Sequence, residues 1–489
     1  MVSGVGSPGE LPDTDLLAVL EGLARQVLPG GETCDVVLLA TTKGDVPRYT
    51  ESIVNGSYAG NPADLAHELG RRLGAPAFAV SAACASGPVA LGEAARRILS
   101  GHARRVLVLA GDRLGDFVRD GFAALQAVAA DHCRPFDAER TGLVLGETAS
   151  AMLLDSGDEL YAAETSTAPP AREVWLQGWG AAMDAHHLTG PTRDGAGLAR
   201  ACAATLQRGN TAIPGLIVTH GTGTRYNDDS ESAAYRTVAP GVPLTGWKGV
   251  LGHSLGACGV TEAVVCSAAL SMSLAAPGTV GYRAGHADVL PPGAYVCHAP
   301  WLSPNAGFGG LNAAVLIGYA PPAKLLMVVP QCRARVALDL VGGALPELTS
   351  RSVTSRSDPS WGRMDLACRA LVALGVQLGV RLGAMPSDTA VVLLTTVGSA
   401  ATDRAYEIGR RAGTAAAQMF VYTLPTTPIG ELSIRCQLQG PGMALLGATD
   451  DEGHATVAGL LAEGHTAVVL ARVEADTLPH TAWAEYWTA

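Results

Sequence analysis

The sequence predicts an α/β protein whose sheets are covered by helices on both faces. Three observations carry this. Short apolar runs, "DVVLLAT" (35–41), "RVLVLAG" (105–111) and "GLIVTHG" (215–221), end in glycine or polar turns, as strands buried on both faces do. Between them, "DTDLLAVLEGLARQVL" (13–28) and "PVALGEAARRILSGH" (88–102) carry apolar residues at helical spacing, and such alternation builds layered sheet and helix. The composition agrees: 489 residues, 48% hydrophobic and 16% charged, suffice for large cores in two or three units. With 5% aromatics and 59 glycines, those cores are expected to be packed by Ala, Val and Leu with close backbone approaches.

Charge and cysteine usage narrow the function classes. A net charge of −11 argues against nucleic acid as the main partner, because phosphate binding needs clustered Lys and Arg. Ten cysteines without a CxxC pair, and no signal peptide, fit free thiols in a reducing cytosol, so a cytoplasmic location is expected. No metal is expected, since cysteines and histidines lack ligand spacing. The nearly uncharged segment 257–277 is long enough for a bilayer, but Glu262 and its small residues read as a helix buried in an α/β core. No membrane association is expected.

A composition break falls at "GYAPPAKLL" (318–326), and a polar stretch, "TSRSVTSRSDPS" (349–360), follows. Beyond it the chain echoes its own beginning. "VVLLATTKG" (36–44) returns as "VVLLTTVG" (391–398), and "SGHARRVLVLA" (100–110) as "EGHTAVVLARV" (463–473), in the same order and at similar spacing. Two domains are expected: 1–320 and 325–489.

Four segments could carry chemistry. In "FAVSAACASGP" (78–88), Cys84 follows a strand-like run and precedes a helix start, where backbone N–H groups lower a thiol's pKa and can hold an oxyanion. Taken alone, an inert buried cysteine is the plainer reading. "THGTGTRYNDDSE" (219–231) sets His220 at a strand end. "KGVLGHSLGACG" (248–259) sets Lys248 five residues before His253 in a glycine-rich turn, and "NAGFGGLN" (305–312) is a glycine loop around Phe308. Each alone is weak evidence.

Together, in this order and with "CRPFDAERTGLVLGETAS" (133–150), they closely resemble the β-ketoacyl synthases of fatty-acid and type II polyketide assembly, over roughly residues 13 to 320. The resemblance implies a thiolase-like αβαβα fold and a decarboxylative Claisen condensation. Cys84 would carry the acyl group. The backbone N–H groups of Cys84 and Phe308 would form the oxyanion hole, and His220 and His253 would donate to the enolate of a malonyl-type extender. Lys248 would hold the electrostatic network together, with Glu147 as its expected ionic partner. Phe308, with Gly309, would be a swinging gate. Phe122, Thr222, Thr224 and Asn305 would line the substrate pocket. No cofactor is implied, since the substrates arrive on the phosphopantetheine of an acyl carrier protein. The rival readings are an acyltransferase without elongation and a non-catalytic partner subunit. A thiolase is disfavoured because the gate loop holds no second cysteine. The family's "LGEGA" reads "LGETA" here, its gate loop is shortened, and its opening strand is missing, so the first sheet is expected to be supported from elsewhere or trimmed at that edge.

The tail, 325–489, resembles the first half of another ketosynthase or chain-length-factor-like subunit, through "WGRMDLACRALVALGVQL" (361–378) and the run 420–453. Thr449 falls where Cys84 lies in the first copy, and the tail has no HGTGT and no KxxxGH, so it is expected to be non-catalytic. Because ketosynthases are dimers, the chain is expected to be a homodimer, a heterodimer with a ketosynthase-like subunit, or an intramolecular pseudo-dimer through the tail. In the last case Met443 to Leu446 would pair with Phe78 to Ser81, and Phe420, Thr426 and Ile429 would reach the acyl pocket.

Overall fold

The computed structural model describes residues 15–28, 31–157, 172–326, 328–339, 346–477 and 480–489; the first two residues of the helix expected over 13–28 lie outside them. The repeat seen in the sequence organises the architecture. In the first half, β1 (Val36–Ala40), β2 (Ala77–Ser81), β3 (Arg105–Asp112) and β4 (Thr148–Asp155) assemble in the order β2-β1-β3-β4. The first three strands are parallel and β4 is antiparallel. All five residues of β1 are buried, which is why it reads as an unbroken apolar run.

A second sheet is built from β5 (Trp175–Met183), β6 (Leu216–Val218), β7 (Leu244–Thr245), β10 (Trp301–Gly307) and β11 (Leu311–Gly318), in the order β5-β11-β10-β6-β7. The short pair β8 (Ala276–Pro277) and β9 (Ala294–Tyr295) stands apart. Helices Ser86–Leu99 and Cys258–Ser271 lie between the two sheets, while Leu16–Val27, Pro62–Leu73 and Ala196–Arg208 cover their outer faces. This is the five-layered αβαβα arrangement expected. The apolar segment 257–277 forms a central helix, and no helix of the described residues is long and apolar enough to cross a membrane.

The two central helices approach backbone to backbone because glycines stand at their crossing. A Cβ on Gly87 would lie 2.5 Å from the Val260 nitrogen, and one on Gly259 would lie 2.3 Å from Pro88 Cδ. This crossing brings the cysteine-bearing turn to the glycine-rich loop that carries His253.

The tail repeats the first-half sheet. Its strands are β12 (Gln331–Ala337), β13 (Ala390–Thr395), β14 (Gly442–Leu446), β15 (Val468–Glu474) and β16 (Thr481–Thr488). β13 pairs in parallel with β14 and β15, and β15 is antiparallel to β16, so β13 to β16 repeat the pairing of β1 to β4. The two sets join edge to edge: β14 runs antiparallel to β2, with Ala444 opposite Ser81, Leu445 opposite Val80 and Leu446 opposite Ala79. One nine-stranded sheet results, in the order β12-β16-β15-β13-β14-β2-β1-β3-β4. Among the described residues no strand lies outside β4; on the tail side β12 pairs with β16 at the corresponding position. The tail's helix Asp450–Ala462 packs on Ser86–Leu99, and one hydrophobic core runs through both halves. Charge complements the seam: buried Arg97 donates to Glu93 at 2.8 Å and to Glu452 of the tail, and Arg96 donates to Glu93 and to the tail's Glu463.

Candidate active site

Cys84 sits on a tight elbow between β2 and the helix Ser86–Leu99. The residue before it, Ala83, has φ +51°, a conformation that must be held by its surroundings. Ser86 Oγ holds it by donating to the Ala83 carbonyl at 2.6 Å and accepting from the Ala82 N–H at 2.9 Å, and Thr42 Oγ1 also donates to the Ala83 carbonyl. The gate loop abuts this elbow. A Cβ on Gly307 would stand 2.7 Å from the Ala82 carbonyl oxygen and 3.1 Å from the Cys84 nitrogen, so only glycine lets the loop backbone reach the cysteine. Gly309 and Gly310 turn the chain back with φ of +89° and +72°.

His220 and His253 meet beside this cysteine, their ring centroids 5.3 Å apart and the planes nearly perpendicular. Both histidines and Cys84 line one cavity of about 530 Å³ that also receives Phe122, Phe308, Thr222 and Thr224. The Leu255 N–H donates to His253 Nδ1 at 3.2 Å, and the Cys258 thiol lies at the same distance. With Nδ1 serving as acceptor, the neutral ring carries its proton on Nε2. Burial, with Lys248 and His253 nearby, holds the His220 pKa well below the usual histidine range, so this ring is neutral at physiological pH.

The carboxylate that pairs with Lys248 is Glu262, not Glu147. Lys248 Nζ lies 2.7 Å from Glu262 Oε1, with both side chains about 1% exposed. Burial presses the lysine toward neutrality, but Glu262, Cys258 and Glu231 outweigh it and hold the pKa above the ordinary value. Glu147 instead accepts the Leu114 N–H at 2.7 Å, bracing the turn after β3. The assignment fails because Lys248 and Glu262 lie at either end of one loop-to-helix segment, whereas Glu147 leads into β4. Asn305 also departs from expectation. It lies behind the cavity wall, donating to Glu262 Oε2 at 2.8 Å while its side chain opposes the fall in the His220 pKa. Lys248, Glu262 and Asn305 thus form one buried chain.

The HGTGT loop is tied down by two further acids. Glu231 accepts from the Gly221 N–H and from Tyr235, while Asp228 accepts from the N–H groups of Gly223 and Phe136. Burial raises both carboxyls above the ordinary range. Among the described residues no group of three or more His, Cys, Asp or Glu side chains is placed to hold a metal.

Of the tail residues expected at the pocket, Phe420 reaches it. Together with Leu424 it walls a small apolar cavity of about 20 Å³ behind Cys84. Thr426 and Ile429 do not line it. The Thr426 carbonyl approaches the gate glycine Gly309, and Ile429 is buried against Gly442 at the start of β14. Thr449 stands in the tail where the equivalence places it, capping the helix Asp450–Ala462 by accepting the Glu452 N–H.

Fold and site together define a thiolase-like protein with a cysteine and two histidines at one cavity. The chain belongs to the β-ketoacyl synthase family: the Beta-ketoacyl synthase, N-terminal domain matches residues 6–159 and the Beta-ketoacyl synthase, C-terminal domain matches 174–281. It is 33% identical to "Putative polyketide beta-ketoacyl synthase 1" of Streptomyces cyaneus, over 53% of this chain and 64% of that one. It is likewise 33% identical to the "Tetracenomycin polyketide synthase ketoacyl synthase alpha subunit" of Streptomyces glaucescens, over 52% and 63%. The chain therefore spans just under two thirds of these relatives. Among solved structures it resembles "PfaC Keto synthase-Chain length factor" in fold, with a TM-score of 0.69, 16% identity and coverage of 93% of this chain and 66% of that one. It also resembles "Ketosynthase (ApeO) in Complex with its Chain Length Factor (ApeC) from Xenorhabdus doucetiae", with a TM-score of 0.53, 26% identity and coverage of 65% and 85%.

Proposed function

We propose that the chain is a ketosynthase that condenses an acyl group held on Cys84 with a malonyl-type thioester carried by an acyl carrier protein, in polyketide or related secondary metabolism. The observation that carries this reading is the meeting of Cys84, His220 and His253 around one cavity. The Cys84 thiolate attacks the carbonyl of an acyl thioester, and the carrier's thiol leaves, giving an acyl-enzyme. A malonyl-type thioester then binds and loses CO2. The electron pair of the breaking carbon–carbon bond forms an enolate, whose oxygen needs donors that do not also protonate its carbon. Two neutral histidines supply them, His253 through Nε2–H. The enolate carbon attacks the acyl carbonyl, a β-ketoacyl thioester leaves on the carrier, and the Cys84 thiolate is regenerated. The larger cavity, with Thr222 and Thr224, suits the phosphopantetheine arm on which the carrier would bring the substrates.

The tail serves in this reading as a partner half-subunit in cis. It supplies the strand that pairs with β2 and a wall behind the cysteine, as a second ketosynthase-like subunit would.

The test is mass spectrometry of the protein with acyl- and malonyl-loaded carrier proteins. The expected result is an acyl adduct on Cys84, then release of CO2 and a product two carbons longer. His220→Ala should still acylate but lose about 10²–10³-fold in condensation. Acyl transfer to an added nucleophile without CO2 release would replace this reading with a non-elongating acyltransferase, and turnover by Cys84→Ala would overturn it.

A further inference from the structure

We propose that Asp112 is the positioning residue that sets Cys84 against His253, by holding with one carboxylate the two turns that carry them. The inference rests on the ketosynthase reading and adds a residue to it. Asp112 ends β3, has no exposed surface and lies outside the lining of both cavities. Its two oxygens join segments that are far apart in sequence. Oδ1 accepts from the Thr41 hydroxyl at 2.7 Å and from the N–H groups of Lys43 and Gly44 at 2.9 and 3.2 Å. Oδ2 accepts from the Gly256 N–H at 2.9 Å, and the Thr42 N–H lies 3.0 Å from both oxygens.

Each segment leads to a strained residue beside the chemistry. On one side, Thr42 Oγ1 donates at 3.2 Å to the carbonyl of Ala83, the residue at φ +51° that precedes Cys84. On the other, Gly256 follows Leu255, whose φ is +53° and whose N–H donates to His253 Nδ1. Left-handed conformations of residues that carry a side chain persist only where neighbours fix them. The two turns also touch directly. A Cβ on Gly256 would lie 2.7 Å from the Thr42 nitrogen, so only glycine lets the His253 turn close on this loop. The loop is tethered on its far side as well, where the Arg113 N–H donates to the Gly44 carbonyl and Lys43 Nζ lies 2.6 Å from Asp403 Oδ1 of the tail.

Each of these partners donates to the Asp112 carboxyl, so an amide in its place would turn N–H against N–H. Burial presses the pKa of the carboxyl upward, and the Lys43 N–H, the Thr41 hydroxyl and the N–H groups of Thr42 and Gly44 oppose that rise. The chemical consequence differs between the two half-reactions. Loading of Cys84 depends on the elbow alone. Condensation also needs the enolate, held by His253, in line with the acyl carbonyl. A displacement of about 1 Å between reacting groups costs on the order of 10²-fold in rate. The condensation step is therefore more sensitive to Asp112 than the loading step.

The experiment compares Asp112→Asn, Thr42→Val and Thr42→Ser in the full chain, with thermal unfolding to check that each variant is folded. Intact-protein mass spectrometry follows loading of Cys84 from acetyl-carrier protein. Release of CO2 from malonyl-carrier protein, with formation of the lengthened product, reports condensation. Asp112→Asn should lower kcat for condensation about 10²-fold, slow loading by less than about tenfold, and leave the KM for malonyl-carrier protein within about twofold. Thr42→Val cuts only the link to Ala83 and should slow loading about three- to tenfold, and Thr42→Ser should restore it. Thr42→Val should add little to Asp112→Asn, because Thr42 is already released there. Wild-type condensation in folded Asp112→Asn, loading unmoved by Thr42→Val, or fully additive effects overturn the inference and leave the ketosynthase reading standing. Absence of loading or of CO2 release in the wild type overturns that reading and the inference with it.

Discussion

Leu445 of the tail lies directly opposite Val80 of the strand that leads to Cys84, in antiparallel register and with both side chains fully buried. This pair sits at the centre of the nine-stranded sheet. Its consequence is that the edge of β2, which would otherwise offer unpaired N–H and C=O groups to another chain, is already occupied from within.

The full chain is therefore expected to sediment as a single copy at micromolar concentration. Leu445→Pro removes a ladder donor from a central strand and should lower stability by about 3 kcal/mol or more. Analytical ultracentrifugation and urea unfolding check the two halves of this prediction. A stable wild-type dimer whose mate contacts β2 would show that β14 does not hold that edge in solution.

The pairing was legible because the tail repeats the strands of the first half in order, and strands that echo each other tend to occupy equivalent places. Cys84, His220 and His253 were legible for a local reason: each stands where an apolar run meets glycine or small polar residues. The Lys248 partner was not, although a signal existed. Glu262 is the single charged residue in the apolar helix Cys258–Ser271, and a lone acid in such a helix requires a cation. Lys43 and Asp403 left no comparable trace. Lys43 sits in "TTKG", whose tail echo reads "TTVG", and its partner lies 360 residues away on a helix that packs against it only through tertiary structure.

Removing one member of the Lys248–Glu262 pair should be costly, because the other is left charged and buried. Lys248→Met and Glu262→Leu are each expected to lose about 3–5 kcal/mol, while the double variant recovers most of that loss. Urea midpoints for the three proteins form the test. A double variant no more stable than the summed singles would show that the two buried charges do not depend on each other.

Asp184 gives the fold a pH dependence that can be removed. Its carboxylate lies against the large cavity, where burial raises the pKa from its ordinary value near 3.8 to about 6, opposed by the Asn312 amide, which donates to it at 2.9 Å. A carboxyl with a raised folded pKa favours the folded state fully below its unfolded value. That contribution is lost as the pH rises through the folded value. Between pH 4 and pH 7 the loss amounts to about 2–3 kcal/mol. Asp184→Asn keeps an acceptor for Asn312 but no longer ionises, so it should unfold at a higher temperature than the wild type at pH 7.5 and show little advantage at pH 4. Thermal melts of both proteins across that range provide the measurement. Parallel curves for the two would show that Asp184 is already ionised at low pH, and hence that the side chain is better solvated than its 6% exposure implies.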